Sequence, residues 1–115
     1  IRLEEDQTED ADVVVVAYGI SARTAARPVR IARQRGYKVG LLKLVTVWPF
    51  AEDRIRELAA RVKAFVVPEI NLGQVVLEVE RCAAGQAQTL LIPHAGGGLH
   101  QPDEILDAIL GIVER

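Results

Sequence analysis

Four consecutive valines, Val13 to Val16, constrain the fold of this 115-residue chain more than any other feature. A strand with one face in water alternates apolar and polar residues, whereas an unbroken apolar run indicates a strand that is buried on both faces. Gly19 then permits a sharp turn, and Ser21 is predicted to cap a helix that runs to about Arg35 and is closed by Gly36. Strand, turn and capped helix form the first half of a β-α-β unit.

The same order of strand and helix continues along the chain, because short apolar runs are each followed by apolar residues at helical spacing. Further strands are predicted at residues 38–47, 64–67 and 89–92, and Pro68 is predicted to stop the second of these three. A short edge strand is predicted at residues 1–3, and the acidic segment 4–12 is interpreted as a solvated linker, with an acidic docking patch as the alternative. Alternating strands and helices favour a mostly parallel sheet with helices on both faces, here as one domain over residues 1–115.

Composition excludes several functional classes. The net charge of −2 argues against a general nucleic-acid binder, and no apolar run is long enough to span a membrane. The single cysteine, Cys82, falls on an apolar helical stripe and is predicted to be core; it suits a reducing cytoplasm, where we expect the protein to act. One thiolate is too few for an iron–sulfur cluster. The chain begins at Ile1 and contains no methionine, so we expect it to be the C-terminal part of a longer gene product.

Three features permit a chemical interpretation beside a structural one. Ser21 follows a strand as in a nucleophile elbow, but Arg23 stands where that motif needs its second glycine. Gly96–Gly98 could cradle a phosphate, although no P-loop lysine follows. His94 and His100 could be metal ligands or bases, but a surface role is favoured. Two alternatives stay open: a free-standing phosphate- or nucleotide-binding module that uses the glycines, and a small hydrolase that uses Ser21 and His94.

Two surfaces are candidates for partner contact. Arg23, Arg27 and Arg30 share one face of the first helix, which is interpreted as a solvated face, with contact to an acidic partner protein as the alternative. The second surface is the carboxyl edge of the sheet, where ligands of parallel sheets gather. The candidate residues of this edge are Tyr18, Gly19, Ser21, Trp48, Pro49, Phe50, Glu69, Asn71, Gly73 and Gln74. Aromatic side chains beside polar loop groups are typical of an interface, although Trp48 and Phe50 could instead cap the core.

Several of these motifs occur in an order that resembles a known family. Val13–Gly19 leads first to Trp48, Pro49 and Phe50, and then to the pattern Glu-x-Asn-x-Gly-Gln at residues 69–74. With these motifs the chain resembles, over nearly its whole length, the C-terminal domain of the α subunit of 2-oxoacid:ferredoxin oxidoreductases. The 2-oxoglutarate type is the most similar.

The resemblance implies a transketolase C-terminal-like fold, which is a three-layer α/β/α arrangement. Its five-stranded sheet has the order 1-3-2-4-5, and the N-terminal edge strand, residues 1–3, is antiparallel. The strands of Val13 and Phe65 are then neighbours, and a crevice is expected between Tyr18–Gly19 and Glu69–Asn71. The implied enzyme decarboxylates a 2-oxoacid on thiamin diphosphate and magnesium, passes electrons through an iron–sulfur cluster to ferredoxin, and forms an acyl-CoA.

The resemblance also implies that this domain is non-catalytic. The chain lacks a Gly-Asp-Gly diphosphate–magnesium motif and a cysteine set. We therefore expect no catalytic residue, cofactor or metal in this domain, and no contact with nucleic acid or membrane. Its expected partners are the remainder of the α subunit and the β subunit, with ferredoxin reached through the complex.

Overall fold

The computed structural model describes residues 3–18, 20–45, 50–68, 74–92 and 102–114. Within these ranges the chain forms five strands and four helices. The strands are β1 (Leu3–Asp6), β2 (Val13–Tyr18), β3 (Val39–Leu44), β4 (Ala64–Pro68) and β5 (Gln88–Ile92). The helices are α1 (Ile20–Gln34), α2 (Glu52–Ala59), α3 (Gln74–Ala83) and α4 (Pro102–Val113).

The strands form one sheet in the order β1-β3-β2-β4-β5. β1 is antiparallel to β3, and the other three neighbouring pairs are parallel. The prediction of a central valine strand flanked by the strands of Val39 and Phe65 is therefore confirmed, as is the predicted strand order.

The central strand β2 divides the core into two clusters. Val14 and Val16 face the cluster that contains the apolar sides of α2 and α3. Val13 and Val15 face the cluster that contains those of α1 and α4. All four valines are fully buried, which confirms that this strand has no wet face. The apolar stripes of the four helices and apolar side chains of β3, β4 and β5 supply most of the rest of both clusters.

The N-terminal edge strand extends further along the chain than predicted. In the described residues it runs from Leu3 to Asp6, and it pairs Leu3 with Leu44 and Asp6 with Leu41; residues 1–2 of the predicted strand lie outside the described residues. Residues 4–6 are therefore part of the sheet, and their assignment to a solvated linker was wrong. Three carboxylates in a row are tolerated there because all three residues are exposed, and Glu4 and Glu5 are paired with Lys43 and Arg54.

The strand at the opposite edge of the sheet, β5, differs from β1 in charge. Its five residues, Gln88–Ile92, carry no charge, and Leu91 is 44% exposed. Among the described residues β5 is hydrogen-bonded only to β4. The two edges of the sheet are therefore chemically unequal.

Helix α1 shows how local sequence sets its ends. It begins at Ile20, so Ser21 lies in the first turn and not at the predicted cap position. At the other end Gly36 adopts a φ of +93°, and its N–H donates to the carbonyl of Arg33 over 3.0 Å. The N–H of Tyr37 donates to the carbonyl of Ala32 over 3.1 Å. This pair of bonds is a Schellman motif, and it confirms Gly36 as the helix terminator.

Two strand ends also differ from the prediction. β3 ends at Leu44, earlier than the predicted residue 47. β4 includes Pro68, which was predicted to stop it, because Pro68 still aligns with Ile92 of β5. The pairing of β4 with β2 already ends at Val66, so a residue without an N–H at position 68 interrupts no bond in that ladder.

The segment that follows β1 lies tightly against β3 at Gly40. A Cβ atom added to Gly40 would lie 2.7 Å from the carbonyl oxygen of Gln7 and 3.0 Å from the Cα of Thr8. Both neighbours are backbone atoms, so neither can rotate away. Gly40 therefore provides the space in which the N-terminal segment packs.

The substitution Gly40→Ala should lower the free energy of unfolding by about 2 kcal/mol, because the backbone of residues 7–8 must shift. Gly111→Ala is the matched control. A Cβ at Gly111 meets nothing within 4 Å, and the residue lies in α4, so alanine there should stabilise the chain by about 0.5–1 kcal/mol. Urea unfolding of both variants tests this. Equal effects would contradict the packing of the N-terminal segment on β3.

Candidate functional site

The carboxyl edge of the sheet is the candidate site predicted from the sequence. All four parallel strands end there, at Tyr18, Leu44, Pro68 and Ile92. The register aligns Tyr18 with Leu44 and Pro68 with Ile92, so these ends lie at similar heights. Helix α1 begins two residues after Tyr18 and thus starts at the same edge.

The described residues include part of the predicted set. The side chains of Tyr18, Ser21 and Phe50 are described, and Gln74 is the first residue of α3. The other predicted residues lie outside the described residues: Gly19, Trp48, Pro49, Glu69, Asn71 and Gly73. The crevice between residues 18–19 and 69–71 therefore stays a prediction. His94, His100 and Gly96–Gly98 also lie outside the described residues.

The described members of the set are largely core residues. Phe50 is 7% exposed and belongs to the cluster that contains α2 and α3, and half-buried Tyr18 packs against the same cluster. The structure thus brings Tyr18 and Phe50 to one core cluster beneath the carboxyl edge. For Phe50 this burial fits the core-capping interpretation. Ser21 is 3% exposed, which does not fit a nucleophile that a substrate must reach.

A cleft that sequence reasoning missed opens beside Phe50. Its volume is about 530 Å³, and apolar residues Leu3, Phe50 and Ala51 lie next to the carboxylates of α2. Val45, which directly follows β3, is 39% exposed at the same edge. The sequence signal that could have indicated this cleft is the acidic pair Glu52 and Asp53, which follows the aromatic motif after one intervening residue.

The N-terminal acidic segment is held by arginines and is not a free linker. The guanidinium of Arg33 donates to both carboxylate oxygens of Asp10, over 2.7 and 3.2 Å. It also donates to the carbonyl of Gln7 over 2.7 Å and to that of Val39 over 2.8 Å. The hydrogen bonds from Arg33 to the carboxylate of Asp10 lower the pKa of that carboxylate. One side chain thereby joins α1, β3 and the segment after β1.

A second arginine holds β1 itself. Arg54 of α2 donates from Nε and Nη2 to the two carboxylate oxygens of Glu5, each over 2.7 Å. Buried Thr8 also donates its hydroxyl to Glu5. The hydrogen bonds from Arg54 lower the pKa of Glu5, and the same contact raises the pKa of Arg54. Glu4 also forms an ion pair with Lys43 over 3.6 Å, so Glu4, Glu5 and Asp10, three of the six carboxylates of the proposed acidic docking patch, are already paired within the chain.

Glu52 joins α2 to α3 on the surface. Its Oε1 accepts from Arg81 over 2.8 Å and from Arg56 over 2.6 Å. The hydrogen bond from Arg81, with the charge of Arg56, lowers the pKa of Glu52. Glu52 also lies in the first turn of α2, where the helix dipole favours a carboxylate.

Metal-binding and redox chemistry receive no support from the described ranges. In them no three His, Cys, Asp or Glu side chains group so as to hold a metal ion. Cys82 is 2% exposed, as predicted for a core residue, and burial raises the pKa of its thiol. No helix in the described part of the chain is long and apolar enough to cross a bilayer.

The sequence profile of the family described as pyruvate:ferredoxin oxidoreductase core domain II matches residues 11–105. The 2-oxoglutarate synthase subunit KorA of Methanothermobacter marburgensis is 43% identical over 112 residues, which is 97% of this chain and 30% of that protein. The ketoisovalerate oxidoreductase subunit VorB of Methanothermobacter thermautotrophicus is 41% identical, over 95% of this chain and 31% of that protein. The chain thus spans about 30% of the length of these relatives.

Solved structures show the same fold. A 2-oxoglutarate:ferredoxin oxidoreductase from Magnetococcus marinus, with 2-oxoglutarate, coenzyme A and succinyl-CoA bound, matches with a TM-score of 0.83 at 21% identity, over 98% of this chain and 20% of that one. A split gene transketolase, described as an inactive beta4 tetramer, matches with a TM-score of 0.79 at 18% identity, over 99% of this chain and 42% of that one. The predicted transketolase C-terminal-like fold is therefore confirmed.

The substitution Glu5→Gln tests the arginine-held N-terminal segment. A carboxylate whose pKa is lowered by folding stabilises the native state above its unfolded pKa, which is about 4.3 for glutamate, and loses this effect as the pH falls through the lowered value. We therefore expect Glu5→Gln to lower the free energy of unfolding by about 1 kcal/mol at pH 7. The difference should shrink as the pH falls below about 4.3 and should vanish only below the lowered pKa of Glu5.

Glu9→Gln is the control, because no side-chain bond of Glu9 is seen among the described residues, and its effect should stay within about 0.5 kcal/mol. Urea titrations from pH 3 to pH 8 measure both. A pH-independent effect of Glu5→Gln would show that its pairing with Arg54 does not contribute to folding.

Proposed function

The chain belongs to the pyruvate:ferredoxin oxidoreductase core domain II family, and from this premise we propose that it is the C-terminal domain of the α subunit of a 2-oxoacid:ferredoxin oxidoreductase. The observation that carries the proposal is the family match over residues 11–105, joined by the 43% identity to a 2-oxoglutarate synthase subunit. A relative named for ketoisovalerate is nearly as similar. We therefore propose the substrate at the level of a 2-oxoacid, with 2-oxoglutarate as the first candidate.

The whole enzyme would convert a 2-oxoacid and coenzyme A into an acyl-CoA and carbon dioxide, and pass the two released electrons to ferredoxin. Thiamin diphosphate, magnesium and an iron–sulfur cluster would supply this chemistry from other parts of the complex. A non-catalytic role is consistent with three groups of the described chain that could react but are already engaged. Cys82 is buried, and Glu5 and Glu52 are bonded to arginines.

The role we propose for this domain is contact with the rest of the α subunit or with the β subunit. The contact surface would be the carboxyl edge, so that the domain helps to shape the active-site entrance. Three features support this choice: half-buried Tyr18, exposed Val45 and the cleft beside Phe50 all lie on this side of the molecule. Apolar surface next to polar groups is the usual composition of a protein interface.

The double variant Trp48→Ala/Asn71→Ala tests the interface. Removing the aromatic side chain of Trp48 and the amide of Asn71 from the predicted surface should weaken subunit assembly at least tenfold, while the isolated domain stays folded. Phe50→Ala is the contrasting variant. Because Phe50 is buried in the core, its loss should lower the free energy of unfolding by about 3 kcal/mol.

Analytical ultracentrifugation of the complex and urea unfolding of the domain provide the two measurements. Assembly that is unchanged in the double variant would contradict the interface. Unfolding of the isolated double variant would favour the alternative in which Trp48 caps the core.

The non-catalytic role is tested by calorimetry of the isolated domain. It should bind neither thiamin diphosphate nor iron, and it should not decarboxylate 2-oxoacids, since its sequence lacks the motifs that hold these groups. The full complex serves as the positive control. Micromolar binding of thiamin diphosphate by this domain would disprove the assignment.

A further inference from the structure

Helix α1 carries positive charge on one side only. Arg23, Arg27 and Arg30 lie within a narrow sector of its surface and are exposed, and they define what we call the arginine stripe. The opposite side, with Ala25 and Val29, is buried against the sheet. The fifteen residues of α1 contain no aspartate or glutamate, so the helix itself offers the stripe no partner.

The stripe arginines differ from four other arginines of the described chain, whereas exposed Arg35 likewise forms no ion pair among the described residues. Arg33, Arg54, Arg56 and Arg81 each form an ion pair with a carboxylate at 3.2 Å or less. Among the described residues the stripe arginines form no ion pair and no side-chain hydrogen bond, although the chain carries 16 acidic and 14 basic side chains. A shortage of carboxylates therefore does not explain the unpaired stripe.

The stripe also opposes the stability of its own helix. Arg23 and Arg27 are four residues apart, and Arg27 and Arg30 are three apart, so neighbouring like charges repel by about 0.2–0.5 kcal/mol per pair. Arg23 stands near the N-terminus of α1, where the helix dipole disfavours a cation. Folding thus gains nothing from these three charges.

We propose that the arginine stripe is a docking surface for a separate protein whose contact surface is rich in aspartate and glutamate. Arginine binds carboxylates through a planar fork of N–H donors, and the stripe spans about 10 Å along the helix, enough for a short row of carboxylates. Stable interfaces contain apolar residues at their centre, whereas the sector of the stripe is polar throughout. The contact is therefore reversible and sensitive to salt.

A carboxylate surface is favoured over a nucleic acid by the net charge of the chain, which is −2. A phosphate backbone extends beyond three arginines and would meet this net negative charge. A short acidic protein segment is small enough to contact the stripe alone.

The test is arginine modification by phenylglyoxal in the full-length protein assembled with its partner subunits, read by mass spectrometry. The stripe arginines should be modified in the assembly and protected by a twelve-residue glutamate-rich peptide at low salt, with protection lost at about 0.5 M salt. Exposed Arg35 and Arg56 serve as internal controls and should not be protected. If the stripe arginines are unreactive in the assembly, the proposal is overturned, because the partner subunits of the assembly would then already cover them.

Variants give an independent result. Replacing the three stripe arginines with glutamine should weaken peptide binding about tenfold, as expected for three exposed charge pairs, without lowering the unfolding midpoint. The control replaces Arg35, Lys38 and Arg56 with glutamine, which changes the net charge equally. Equal weakening by both triple variants would overturn the proposal, as would tighter protection of the stripe by a single-stranded oligonucleotide of twelve residues.

Discussion

The fold depends on one constraint, which is that the central strand has no polar side chain on either face. Val13 and Val15 point to one side of the sheet and Val14 and Val16 to the other, so both faces must be covered. Helices can cover both faces only if the chain crosses the sheet repeatedly, and such crossovers make neighbouring strands parallel. Parallel strands in turn end at a common edge, which is why Tyr18, Leu44, Pro68 and Ile92 define a single candidate surface.

Charge has two distinct uses in this molecule. Arg33 and Arg54 bond the N-terminal segment to the packed core, and each satisfies several acceptors at once. The arginines on the outer face of α1 contribute nothing comparable to folding. Residues of one type at different positions therefore support different conclusions, and only their partners distinguish a structural arginine from one that is available for recognition.

Sequence patterns were sufficient where the governing interactions are local or repeat with a fixed period. The valine run, the helical stripes and Gly36 each predicted what the structure has. The N-terminal segment was misread because its partners are distant: Arg33 lies 23 residues from Asp10, and Arg54 lies 49 residues from Glu5. The candidate site was only partly predictable for the same reason. Topology places Phe50 at the correct edge, but its burial depends on side chains of α2 and α3 that no local pattern reveals.

The two unequal edges of the sheet limit how copies of this domain can associate. β1 carries three consecutive acidic residues, of which Glu4 and Glu5 are paired with Lys43 and Arg54, while β5 presents an uncharged row with Leu91 exposed. Within the described part of the chain, β5 is therefore the edge that is better suited to pair with a further strand. Two copies that met through β5 would form a closed pair, because each would then present only its acidic edge.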